Sequence, residues 1–211
     1  MNSITFGYAK VFDVLRLLDA AANMRANRNP YQQERDMTAT YDPATDIVDR
    51  VAGLIPGSSA YVTRHRRDKV AVATQLSYEG LFDPSLTDLT LTERLLVALH
   101  ACTLSNASAL GAHYFAQLGA VGVNSELIDQ VSQGAIDLIS DPRLLAILTF
   151  TGTLIENPVG GDEAALKRLP AAGLTTPAVV ALAQLIAFLS YQIRLQAGLR
   201  ALKAINVSES A

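Results

Sequence analysis

Cys102, His100 and His113 are the residues most able to do nucleophilic or proton-transfer chemistry. All three fall in one stretch, LLVALHACTLSNASALGAHYFAQLGAVG at 95–122. A thiolate can attack an electrophile, and an imidazole can carry a proton to or from it. Positions 102, 106, 109 and 113 follow a 4-3-4 spacing, so a continuous helix would place Cys102, Asn106, Ala109 and His113 on one face. That helix would also hold the sulfur and the His113 ring roughly 16 Å apart along its axis, too far for proton exchange. Cooperation requires a bend. LSNAS offers one, with Ser105 or Asn106 as the cap of a fresh helix. Cys102 then sits at the C-terminal end of the preceding helix, where the dipole raises a thiol pKa.

The other candidates each have two readings. Cys102 is core packing or a reactive thiol, and His113 is a pocket residue or a satisfied interior histidine. His100, between Leu99 and Ala101, reads as structural. Glu93 is a first-turn charge or a proton-handling carboxylate. Asn106 and Ser108 are caps or polar groups of a pocket. Arg194, on an apolar helix, reaches a carboxylate or helix-end carbonyls at a subunit interface, or binds an anionic substrate. RHRRDK at 64–69 is the densest basic cluster, read as a solvated face with Arg64 and Asp68 paired at i,i+4, and alternatively as a phosphate site. His65, His100 and His113 show no i,i+4 pairing with one another or with a near carboxylate, so no metal is expected. No Gly-rich phosphate loop or Gly-x-Ser-x-Gly elbow is present, and no cofactor is expected.

The elements that must position these groups are helical. Half of the 211 residues are hydrophobic and 18% are charged, enough apolar material for a packed interior. Ala and Leu lose little rotamer freedom in helices, and no window alternates with period two long enough for a strand. The formal charge of −3 argues against a nucleic-acid partner. One cysteine excludes an intramolecular disulfide and fits a reducing cytoplasm. Lys10, Asp13 and Arg16 interrupt the N-terminal apolar run, so no signal peptide is read there. AVVALAQLIAFLSY at 178–191 is too short to span a bilayer and reads as a buried helix.

Along the chain, Tyr8 to Asn23 forms a short amphipathic helix, followed by a polar linker with two prolines. Residues 1–45 are expected to be an arm and linker, 46–205 one helical domain and 206–211 a tail. DPATDIVDRVAGLIPGS reads as a helix ended by Gly57, and SSAYVTRHRRDKVAVATQLSYEGLF as a single second helix. Thr90 or Thr92 caps a third, with Glu93 in its first turn. Asn124/Ser125 and Asp141-Pro142 open two more. DEAALKRL and TTPAVVALAQLIAFLSYQIRLQAGLRALKA close the domain.

Four of these stretches, LFDPSLTDLTLTERLLVAL, SALGAHYFAQLGA, DPRLLAILTFTGTLIENP and AAGLTTPAVVALAQLIAFLSYQIRLQAGL, carry a likeness. The last holds Ser190, Tyr191 and Arg194 in a signature-like run. In order and spacing, over Asp46 to Leu202, the chain resembles the alkylhydroperoxidase D-like superfamily, which includes carboxymuconolactone decarboxylases, and within it the two-part, peroxidase-related members. The resemblance implies an all-α bundle of about eight to ten helices that assembles into dimers, trimers or hexamers. It also implies a Cys-x-x-Cys pair at a helix N-terminus, a histidine four residues later and a glutamate about a dozen residues before. Aligned on His113, the cysteines fall on Asn106 and Ala109 and the glutamate on Arg94, with Glu93 one residue away. Aligned on Cys102, the histidine falls on Ala109.

The expectation is a divergent member of that superfamily without the dithiol. It is either a peroxidase-type oxidoreductase using Cys102 and an outside thiol, or a cysteine-independent acid–base enzyme using His113. The alternatives are a non-catalytic or partner-dependent oligomeric subunit, acting with a redox partner or a catalytically complete relative, and a small-molecule binding module. The candidate residues are His113, Cys102 and Glu93 for catalysis and Asn106 and Arg194 for substrate, with no nucleic acid and no membrane as partner.

Overall fold

The computed structural model describes residue 41 and residues 43–208. The chain divides into two units, Met1–Tyr41 and Asp42–Ala211, and the architecture below is that of the second. The expected helix over Tyr8–Asn23 and the linker after it lie outside the described residues.

Among the described residues the fold is all-α, with nine helices and no strand. In chain order they are α1 (Ile47–Ala52), α2 (Ser59–His65), α3 (Asp68–Leu81), α4 (Leu91–Leu104), α5 (Ser108–Ala120), α6 (Ser125–Ser132), α7 (Pro142–Glu156), α8 (Glu163–Ala171) and α9 (Thr176–Ser208). Their starts follow from local chemistry. The Asp46 carboxylate accepts from the Val48 and Asp49 amides at α1, and the Asp141 carboxylate does the same for Arg143 and Leu144 ahead of Pro142 at α7. Thr90 and Glu93 form a reciprocal capping box at α4, side chain to backbone in both directions.

α4 is the centre of the bundle. Every residue from Arg94 to Cys102 is buried, so this helix is enclosed on all sides by its neighbours α5, α6, α7 and α9. α9 shows the complementary pattern. Ala178, Leu182, Leu185, Ile186, Leu189 and Ile193 recur every three or four residues and pack on the core, while Val180 and Tyr191 face outward. The apolar segment at 178–191 is therefore part of a 33-residue helix. Its Thr176–Ile205 stretch is, by length and composition alone, apolar enough to cross a membrane, in contrast to the shorter reading from sequence.

Two other boundaries differ from expectation. α1 stops at Gly53, whose φ of 63° is the left-handed conformation that a residue without Cβ adopts freely, and not at Gly57. The expected single helix after Ser58 is two helices, broken at Arg66–Arg67, where Arg67 turns to φ −122° and ψ 64°. The break accompanies a buried network that sequence spacing does not reveal. Arg64 is not paired with Asp68 on a solvated face. Its Nη2 lies 2.7 Å from Asp46 Oδ2 and its Nε 2.6 Å from Asp49 Oδ1. His65 Nε2 completes the group at 2.7 Å from Asp49 Oδ2. The side chain of Arg64 is only 3% exposed, so this network fastens α2 onto α1 away from water.

Candidate functional site

The bend expected at LSNAS is present: α4 ends at Leu104, α5 begins at Ser108, and Asn106 between them takes φ 53°, the left-handed region that asparagine tolerates. Neither Ser105 nor Asn106 caps the new helix; the residue before it is Ala107, which offers no side-chain acceptor. α4 and α5 then run back alongside each other. They pack closely at Gly111, where a Cβ would stand at ordinary contact distance, 3.5 Å from the Cβ of Cys102.

This arrangement decides the chemistry of the sulfur. Cys102 lies in the last turn of α4, 1% exposed, and burial pushes its thiol up to about 12. It faces a cavity of about 550 Å³ together with Thr103, Asn106, Ser108 and Phe115. No hydrogen bond joins the sulfur to an imidazole, and the thiolate that peroxide chemistry requires is strongly disfavoured.

Glu93 is engaged elsewhere. Its Oε2 accepts from the Thr90 amide at 2.7 Å and from the Thr90 hydroxyl at 3.0 Å, while Oε1 accepts from Arg143 Nε at 2.7 Å. Both oxygens hold α4 and α7 in place, in keeping with the first of the two readings of this residue, a first-turn charge. The neighbouring Arg94, which falls on the glutamate position in the register set by His113, is a buried plug. Its guanidinium donates to the carbonyls of Thr90, Leu81 and Asp83 at 3.3, 2.9 and 2.8 Å, closing the C-terminal end of α3. Arg194 is exposed and donates to the Ser190 carbonyl of its own helix at 3.1 Å, not into either large cavity. His100 is buried against α7, its Nε2 3.5 Å from where a Cβ at Gly152 would stand. Desolvation lowers it to about 4, and its Nδ1 has no hydrogen-bond partner.

His113 has a partner that sequence reasoning missed. Its Nε2 lies 2.9 Å from the Tyr78 hydroxyl, across from α5 to α3. The two rings belong to a run of tilted aromatic contacts in which Tyr78 meets Phe82 and Phe82 meets Tyr114, with centroids 5.1 and 5.3 Å apart. Tyr114 anchors the run by donating to Gln192 Oε1 on α9 at 2.6 Å. Burial, reinforced by the Arg50 charge, lowers His113 to about 4. Burial raises Tyr78, against a smaller opposite effect of Arg50. Both groups are therefore neutral at pH 7, and either can be the donor depending on the imidazole tautomer.

Tyr78 connects this pair to solvent. It lines a cavity of about 590 Å³ between α3, α4 and α5, with Phe82, Leu91 and Leu95 as apolar wall and Gln117 from α5 as a polar one. The size suits a small organic molecule. Chemically the pair can relay a proton: a ligand gives a proton to Tyr78 Oη while the phenolic proton passes to His113 Nε2, or the reverse. Cys102 faces a different cavity, so the structure separates the two residues that the sequence places near each other. Tyr78 carries little signal in the sequence, because only the fold shows that α3 brings it to His113. Among the described residues no group of three or more His, Cys, Asp or Glu side chains is placed to hold a metal ion. Comparison with protein-family models and with curated proteins gives no match for the chain.

Proposed function

We propose that this protein is a divergent member of the alkylhydroperoxidase D-like and carboxymuconolactone decarboxylase-like superfamily that performs thiol-independent proton transfer on a small organic substrate. The observation that carries the reading is the 2.9 Å bond between Tyr78 Oη and His113 Nε2 at the wall of the 590 Å³ cavity. Tyr78 touches the substrate, and His113 takes or returns the phenolic proton behind it. Peroxidase-type oxidoreductase chemistry is the weaker form of the same kinship, because the thiol it needs is buried and protonated. The reading includes the self-association that the resemblance implies and the reducing cytoplasmic setting that a single cysteine fits.

The test is turnover of a panel of hydroperoxides and carboxylated lactones by the wild type and by Tyr78→Phe, His113→Gln and Cys102→Ala. Proton transfer through the pair predicts a loss of about a hundredfold or more in the first two variants and none in the third. It also predicts activity that stays level from neutral pH downward and falls only as His113 protonates near 4. Peroxide turnover that vanishes with Cys102→Ala would overturn it. A second reading, a non-catalytic or partner-dependent oligomeric subunit, draws on Glu93 being engaged at both oxygens and on the burial of Cys102. It predicts no turnover of any panel member and co-purification with a catalytically complete relative.

A further inference from the structure

The wall that carries Tyr78 also has a charge. Glu79 and Asp83 line the same cavity, both exposed, one residue beyond Tyr78 and one beyond Phe82. Glu79 Oε1 accepts from Gln75 Nε2 at 2.9 Å, and Asp83 Oδ1 accepts from the Ser85 amide at 2.8 Å. That amide bond holds the Asp83 carboxyl below its usual range, so it is ionised at any working pH. None of the described residues lining the cavity is Lys or Arg. Arg94 is buried and donates to three carbonyls, and Arg50 affects Tyr78 and His113 from α1 without lining the cavity. The floor is apolar, from Leu91 and Leu95, and two aromatic rings, Tyr78 and Phe82, stand beside the carboxylates.

We infer that the molecule this cavity takes is a cation on an apolar body, an amine or quaternary ammonium carried by an alkyl or aryl group, and not a carboxylate. The body fills the leucine floor, the cationic head faces Glu79 and Asp83, and the aromatic rings add a cation–π attraction. This rests on the reading of the cavity as the place where substrate meets Tyr78, and it narrows the substrates to a class that the lactone acids of the panel do not represent.

The probes are benzyltrimethylammonium and phenylacetate, matched in body and opposite in charge, titrated calorimetrically into the full-length protein at low salt. The ammonium is expected to bind about tenfold more tightly than the acid, with two partly solvated carboxylates and two rings acting together. In Glu79→Gln/Asp83→Asn, which keeps shape and a hydrogen-bonding oxygen at each position while removing the charge, the gap narrows several-fold. Equal or tighter binding of phenylacetate, an unchanged preference in the double variant, or no saturable binding of either probe would each overturn the inference. The two proposals fail separately. Ammonium preference with no turnover of any amine would sink the proton-transfer reading alone. Turnover of an anionic substrate that depends on Tyr78 would sink only the charge assignment.

Discussion

Blocking the lone thiol is the most direct check on the redox question, because the chain has one cysteine and so one possible adduct. Burial takes the Cys102 thiol from a reference value of 9.0 to about 12. At pH 7 this lowers the thiolate fraction from about one part in a hundred to about one in a hundred thousand, roughly a thousandfold. Access lowers it further, since the residue is 1% exposed and a reagent must wait for α4 and α5 to part. Iodoacetamide labelling of the folded protein, followed by intact mass spectrometry of the 22.5 kDa chain, is therefore expected to run about a thousand times slower than labelling of the same protein in guanidinium. The rate should rise with pH without levelling below pH 10. Labelling of the folded protein within tenfold of the unfolded rate, or a plateau near pH 7, would refute the burial reasoning and return Cys102 to the list of nucleophiles.

Other outcomes follow from the same geometry. His100 is held near 4 in the folded state against 6.5 when unfolded, so the unfolded chain binds the extra proton first. Its contribution is complete above pH 6.5 and is lost as the pH falls towards 4, about 2 kcal/mol by pH 5 and about 3 in full. Urea titrations at pH 7 and pH 5 should show that His100→Leu flattens the loss by this amount, whatever its effect at pH 7. Gly111→Ala places a methyl at ordinary contact distance, 3.5 Å from Cys102 Cβ, and should stabilise by about 0.5–1 kcal/mol, read as a rise in Tm of a few degrees. Arg64→Met takes the guanidinium away from two buried carboxylates and should cost about 3–5 kcal/mol, read by urea unfolding. A cost below about 1 kcal/mol would mean that the buried pairs do not hold α2 on α1.

How far these features can be read from the chain depends on whether their cause is local. Helix starts are local: Thr90 and Glu93, Asn124, and Asp141 before Pro142 each act within three residues, and each is where the structure opens a helix. The bend at LSNAS and the placement of Cys102 at a helix end are also legible, although the turn rests on the left-handed backbone of Asn106 and not on the side-chain cap expected from Ser105 or Asn106. What brings side chains together across the fold is not. Nothing near Tyr78 says that α3 will set it against His113, 35 positions away, and nothing near Arg64 says that its partners are Asp46 and Asp49 and not Asp68. Glu93 shows the limit from the other side. A carboxylate in a first turn reads equally as cap or catalyst until Arg143, 50 positions on, is seen holding it.

Arg94 constrains what else can stand at its position. Three carbonyl oxygens converge on its guanidinium, at the corner where α3 stops. An acid at that position would meet three partial negative charges with no hydrogens to offer them. A carboxylate in place of Arg94 would therefore leave the corner open unless another donor closed it. The residue works as a keystone: small beside the helices it joins, and the one piece the corner cannot spare.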